Sequence, residues 1–193
     1  MLDHLKDHHI ILASRSPRRR FLLSQLGISF TEISAEIDES FPVGLTPDLA
    51  AIYIAEKKAD HFRELLEDPK NILITADTLV LIAGQILGKP ENIKGAKEML
   101  SALSGKMHQV ITGMCIRSRD KSCSFTDWTN VYFKELTVSE IEYYLEQYKP
   151  FDKAGAYGVQ EWIGYTGITR IEGSYFNVMG LPVHRLYEEL GKF

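Results

Sequence analysis

Short apolar runs alternate with amphipathic stretches along the whole chain. His9 to Ala13 has the length and composition of a strand. It passes through Ser14-Arg15 into Ser16-Pro17, a capping serine with proline at the first helical position, which opens a helix predicted to reach Leu26 and close at Gly27. Phe30 to Ser34 reads as a second strand, and an acidic loop follows from Ile37 to Leu45. Thr46-Pro47-Asp48 then opens a second helix with apolar positions at Leu49, Ile52, Ala55, Ala59 and Phe62, ending near Leu66. The most strand-like stretch is Asn71 to Leu87, with Ile72, Ile74, Val80 and Ile82 apolar and a turn at Ala83-Gly84-Gln85. Asn92 to Leu103 has helical spacing and closes at Ser104-Gly105. Lys106 to Ser118 and Ser122 to Leu136 form a predicted antiparallel hairpin about Arg119-Asp120-Lys121. Thr137 or Ser139 caps a helix to about Tyr148, and Phe151 to Gln160 is a loop. Ile168 to Ile171 is a strand, and Pro182 opens the last helix.

This order predicts an α/β fold with a mixed, twisted sheet and flanking helices. Without internal repeats or low-complexity stretches, residues 1–193 are expected to form a single domain, with 1–8 as a polar tail. His4 and His8 have helix-face spacing for a metal, but no ordered element is expected around them.

Composition narrows the function. A chain of 193 residues, 45% hydrophobic and 25% charged, is neither disordered nor fibrous. Twenty-two Lys and Arg against 26 Asp and Glu give a net charge of −4, so no global basic field exists for nucleic acid or an anionic membrane, and any anion must be bound locally. No apolar run approaches the roughly 18 residues of a membrane span, and the start lacks the grammar of a targeting segment. The expectation is a cytoplasmic protein whose Cys115 and Cys123, flanking the predicted hairpin turn, are free thiols.

Two segments break local rules. Arg18, Arg19 and Arg20 crowd the opening turn of the first helix, where unpaired N–H groups already favour negative charge. Together with the Ser14 and Ser16 hydroxyls they suit a polyphosphate; the ordinary alternative is a capped helix with solvated arginines. Asp77 stands alone between Ile72-Leu73-Ile74 and Leu79-Val80-Leu81-Ile82. Buried charge is costly unless paired, so Asp77 is either a metal ligand or general base at a strand end, or a turn residue between two strands. Lys89, held before Pro90, has the reach to touch a phosphate. Glu39 and Asp38 could add metal oxygens, and Lys58 reads by itself as a surface lysine. The loop from Asp152 to Gln160 combines a carboxylate, small residues and an amide. His61, His108 and His184 fit no zinc or Ser-His-Asp spacing, and no P-loop or dinucleotide fingerprint is present.

The motifs Ile10-Ile11-Leu12-Ala13-Ser14-Arg15-Ser16-Pro17-Arg18-Arg19, Thr75-Ala76-Asp77-Thr78, Gly88-Lys89-Pro90, Leu103-Ser104-Gly105, Asp152 to Gly158, and Gly173-Ser174-Tyr175 through Gly180-Leu181-Pro182 follow one another in the order and spacing of the Maf nucleotide pyrophosphatases. The sequence resembles that family over nearly its whole length, departing at Arg15, where members often carry a smaller residue. The resemblance implies two lobes around a nucleotide cleft, similar to inosine triphosphate pyrophosphatases. It implies cytoplasmic hydrolysis of a nucleoside triphosphate to monophosphate and pyrophosphate with a divalent metal, Mg²⁺ or Mn²⁺, by a homodimer. By the same matching Asp77 is the catalytic base, Ser14, Arg19, Lys58 and Lys89 bind the substrate, and Glu39 and Asp77 hold the metal. Arg18, Thr78 and Gln160 look like the specificity positions of the subfamily acting on dTTP and UTP, as opposed to 7-methyl-GTP. Gln160 can donate and accept at once, which suits the imide edge shared by uracil and thymine. Two other readings are carried: a nucleotide-binding regulator of septum formation and cell division with little turnover, and a nucleic-acid module using Arg18 to Arg20, which predicts steep salt dependence.

Overall fold

The computed structural model describes residues 2–193. Its strands are β1 (His9–Ala13), β2 (Phe30–Ile33), β3 (Asn71–Ile82), β4 (Gln85–Leu87), β5 (Met107–Arg117), β6 (Ser122–Phe133) and β7 (Ile168–Glu172). Its helices are α1 (Pro17–Ser24), α2 (Pro47–His61), α3 (Ile93–Leu103), α4 (Val138–Tyr148), α5 (Trp162–Gly167), α6 (Tyr175–Met179) and α7 (Val183–Leu190). The strands form one sheet in the order β2-β1-β3-β5-β6-β7, with β4 paired to β3. β1 runs parallel to β2 and β3, whereas β3–β4 and β6–β7 are antiparallel, so the sheet is mixed as expected. The chain divides into two compact units: Met1–Asp77 with Thr112–Asp127 and Gly180–Phe193, and Thr78–Ile111 with Trp128–Met179.

In the first unit β1 lies between β2 and β3, so the chain steps to one side of β1 through α1 and back to the other through α2. Alternation along the strands sorts their faces. Ile11, Ala13 and Leu73 point to the side on which Ala55, Ala59 and Cys115 complete a buried core, with Phe62, Leu65 and Ile33 around it. α2 lies unusually close to the sheet: a Cβ on Gly113 of β5 would meet the carbonyl carbon of Ala51 at 2.2 Å. That approach is possible only because glycine faces the alanine surface of α2. α1 is capped as predicted, Ser16 Oγ accepting the Arg19 N–H at 3.4 Å with Pro17 in the first turn. The N-terminal stretch is not a free tail. Asp3–Leu5 forms a 3-10 turn whose Leu5 is buried and whose His4 Nε2 lies 3.2 Å from the Leu190 carbonyl; the apolar Leu5 supplies the anchor that polarity alone conceals. Cys115 and Cys123 are both free thiols.

The second unit is organised by its turns. β3 and β4 form a tight hairpin with Ala83 and Gly84 both at positive φ, 47° and 80°, the geometry whose twist matches the strands. Asn92 caps α3 by accepting the Gly95 N–H at 2.9 Å, and Thr137 and Glu140 close a reciprocal capping box on α4. A buried cluster of His108, Phe133 and Tyr157 packs edge to face, with His108 Nε2 2.7 Å from the Tyr157 hydroxyl.

Candidate active site

In open α/β sheets ligands collect beyond the carboxyl ends of parallel strands where the strand order reverses. Here that point lies between β1 and β3. β1 ends at Ala13 and delivers Ser14, whose backbone N–H donates to the Ile33 carbonyl at 3.0 Å and whose Oγ accepts from Ser16 N–H at 3.1 Å. The three arginines that follow do not act as one cluster. Arg20 pairs with Glu32 at 2.6 Å, whereas Arg19 donates from Nε to the Gly180 carbonyl and from a terminal nitrogen to the Ala76 carbonyl, both at 2.8 Å. Burial lowers the pKa of the Arg19 guanidinium against the pull of Asp77 and Glu39. Arg18 is half-buried.

Asp77 neither ends a strand nor makes a turn; β3 runs unbroken for 12 residues through it. The register with β1 stops at Ile74 and that with β4 begins at Val80, so Asp77 lies in the interval neither covers. Alternation puts Thr75 and Asp77 on the α2 face. Thr75 Oγ1 donates to the Ala55 carbonyl at 2.7 Å, and Lys58 Nζ, one turn further along α2, reaches Asp77 Oδ1 at 2.6 Å. The same ammonium lies 2.8 Å from Glu39 Oε1. Lys58, which alone reads as a surface lysine, is thus the largely covered bridge between the two carboxylates that the resemblance assigns to the metal. Asp38 is turned elsewhere, accepting from Ser40 and Lys57, which hold its carboxyl at a pKa of about 2.

Among the described residues no three His, Cys, Asp or Glu side chains gather into a metal cage. Glu39 and Asp77 nevertheless converge on one cation, and two hard carboxylates are what Mg²⁺ or Mn²⁺ takes from a protein when phosphate oxygens and water complete its shell. The donor set fits that group.

Three expected residues lie in the second unit. Thr78 is half-buried. Lys89 is exposed on a segment tied to the Asp152–Gly158 loop, since Gly155 N–H donates to the Gly88 carbonyl at 3.1 Å. Gln160 carries a buried Oε1 with no hydrogen-bond partner among the described residues. Beside it is a network that sequence reasoning missed. Lys153, buried, lies 2.8 Å from Asp152 and 3.0 Å from Glu161, and Glu161 accepts from the Tyr144 hydroxyl. The Tyr144 oxygen in turn accepts the Gly158 N–H at 3.0 Å.

Fold and site define an α/β protein with a carboxylate–lysine–carboxylate bridge, buried at Asp77 and partly open at Glu39, just past the point where β3 stops pairing with β1. The chain belongs to the Maf family: the profile described as Maf-like protein matches residues 9–193. A protein of Porphyromonas gingivalis named dTTP/UTP pyrophosphatase is 50% identical over 196 aligned positions, spanning 100% of this chain and 98% of its own length. One of the same name from Phocaeicola vulgatus is 51% identical over 193 positions and 100% of both chains. Among solved structures, a HAM1 protein from Coxiella burnetii covers 65% of this chain and 73% of its own, at 16% identity and a TM-score of 0.39.

Proposed function

We propose that this protein hydrolyses dTTP and UTP to the monophosphate and pyrophosphate. The observation that carries the reading is the placement of Asp77, a carboxylate within an apolar strand just past the end of its pairing with β1, held by Lys58 and thereby coupled to Glu39. The full-length relatives named dTTP/UTP pyrophosphatase support the substrate class. Asp77 orients a water and takes its proton as the oxygen attacks the α-phosphorus, and the bond to the bridging oxygen breaks, leaving its electron pair on pyrophosphate. Glu39 and Asp77 are the residues that would hold Mg²⁺ or Mn²⁺, which when bound neutralises charge developing on the phosphates. Lys58 keeps the two carboxylates side by side. Ser14, Arg19 and Lys89 are assigned to the triphosphate, Arg19 with two of its donors already fixing its plane against the Gly180 and Ala76 carbonyls. The unpartnered Gln160 Oε1 is an acceptor for the imide N3–H of uracil or thymine, with Nε2 left to donate to O4. Arg18 and Thr78 complete the specificity set. One methyl changes binding by only about 1–3 kcal/mol, so both pyrimidines are accepted. No described helix is long and apolar enough to cross a membrane. A homodimeric enzyme working in the cytoplasm fits this reading.

The test is turnover of dTTP, UTP, CTP, GTP, ITP and 7-methyl-GTP with Mg²⁺ or Mn²⁺, resolving pyrophosphate from phosphate, with Asp77→Asn alongside. Pyrophosphate from dTTP and UTP, lowered about 10²–10⁴-fold in the variant, is expected. Tight binding without turnover of any nucleotide would replace this reading with the regulatory one.

A further inference from the structure

Glu161 lies outside the residues the resemblance assigns, yet it closes the turn that carries Gln160 from both ends. Its backbone N–H donates to the Gly158 carbonyl at 3.0 Å, and its carboxylate accepts from Tyr144, the hydroxyl that accepts the Gly158 N–H. The other carboxylate oxygen is 3.0 Å from buried Lys153. Tyr144 is fully buried, and burial together with Glu161 raises its pKa, so its hydroxyl stays a donor to the carboxylate. A Cβ built on Gly158 would lie 2.8 Å from the Glu161 carboxyl carbon and 2.9 Å from Gln160 Nε2. The carboxylate and the Gln160 carboxamide therefore cover the same bare glycine, side by side. A glutamine side chain on a surface turn ordinarily samples several rotamers; this one projects from a turn whose first N–H, first carbonyl and closing side chain are all fixed.

We propose that Glu161, locked by Tyr144 and Lys153, is a positioning residue for pyrimidine selection: it holds the Gly158–Gln160 turn so that the carboxamide presents one fixed edge to the base. The inference rests on the reading of Gln160 as the base-contacting residue. Tyr144→Phe keeps the ring and its stacking on Tyr148 while removing the oxygen that joins Gly158 to Glu161. The expected result is a KM for UTP raised about tenfold, with kcat falling by less, and a ratio of kcat/KM for UTP over GTP lowered about tenfold, equal to about 1.4 kcal/mol. Glu161→Ala gives the same pattern, and Glu161→Gln, which still accepts from Tyr144, recovers most of the ratio. Gln160→Ala, measured in parallel, separates the two claims. If Gln160→Ala loses the preference while Tyr144→Phe and Glu161→Ala keep the wild-type KM and ratio, losing only thermal stability, the positioning role is overturned and the reading of Gln160 stands. If Gln160→Ala keeps the preference, the reading of Gln160 falls and the positioning role with it.

Discussion

Replacing Lys58 by methionine keeps all but the last atom of the side chain's length and most of its packing, and deletes the charge shared by two carboxylates. The consequences for the two are unequal. Asp77 has a side chain 10% exposed and cannot turn to water; Glu39 is 35% exposed and can. Deleting one partner of a buried ion pair costs about 3–5 kcal/mol because the survivor stays desolvated, whereas a solvated pair is worth about 1 kcal/mol or less. Lys58→Met should therefore cost about 3 kcal/mol, nearly all of it through Asp77. Two double-mutant cycles separate the legs: Lys58→Met with Asp77→Asn should show a coupling of about 2–3 kcal/mol, and Lys58→Met with Glu39→Gln less than about 1 kcal/mol. Urea titrations at one pH supply the numbers, and a denaturant slope unchanged among variants shows that stability alone has moved. Equal couplings, or a larger one to Glu39, would mean that Asp77 is not the carboxylate Lys58 is there to hold, and the argument from its burial to its catalytic role would lose its footing.

Two further outcomes follow from packing. His108 is buried, and burial holds its pKa down at about 4 from 6.5, so between those values the unfolded chain takes up a proton that the folded one refuses. Stability is then lost as pH falls from about 6.5 towards 4, with ~3 kcal/mol due to this ring at about 1.4 kcal/mol per pH unit. His108→Gln, which can still meet the Tyr157 hydroxyl, should flatten urea-measured stability across that range by this amount, and parallel profiles would refute the assignment. Gly113→Ala forces a methyl to within 2.2 Å of the Ala51 backbone, so α2 must shift, at a cost of about 1–3 kcal/mol or more. Because α2 carries Lys58, kcat should fall even in the fully folded variant at low temperature; a destabilised variant with wild-type kcat would show that the bridge tolerates movement of the helix.

Legibility in the sequence follows how local the cause is. β1 occupies the predicted residues, α1 starts at its Ser-Pro signal, and α3 and α4 start immediately after their caps Asn92 and Thr137, because caps and apolar periods act within a few residues. α5 and α6 are not legible: six residues of mixed aromatic and glycine sequence and five of aromatic and apolar sequence are too short for a period to announce a helix. α2 stops at His61, where a 3-10 segment from Arg63 to Glu67 takes over the apolar pattern that extends the predicted helix to Leu66. At the site, Asp77 was conspicuous because a lone carboxylate is expensive in a strand, but the same reasoning misplaced it at a strand break. What keeps β3 continuous is Lys58, nineteen residues earlier, arriving on the same face. Arg20 likewise looked like part of an anion site because Glu32, its partner, comes from the next strand. Glu161 and Tyr144 carry no sequence signal, and Lys153 stands out only as part of the Asp152–Gly158 motif with no role attached, since each is ordinary until the fold sets the three together.

The order of residues along β3 explains why that strand can carry a charge at all. Its α2-facing positions run Leu73, Thr75, Asp77: a side chain in the dry core, a hydroxyl, then a carboxylate. α2 answers each in kind, offering the apolar Ala55 and Ala59 surface to Leu73, the Ala55 carbonyl to Thr75, and the Lys58 ammonium to Asp77. Side chains on a helix lean toward its N-terminus, so a long lysine one turn beyond Ala55 can pass that residue and deliver its charge further up the strand. Exchanging Thr75 and Asp77 would keep composition and strand pattern and yet set a carboxylate against a carbonyl, leaving the ammonium opposite a hydroxyl. The single buried charge of the strand meets its counter-charge at residue 77 and would not at residue 75, and residue 77 is also where pairing with β1 has ended and pairing with β4 has not begun. The one carboxylate of β3 thus sits where α2 supplies its counter-charge and where the pairing with β1 has run out, which is the placement the proposed catalytic role calls for.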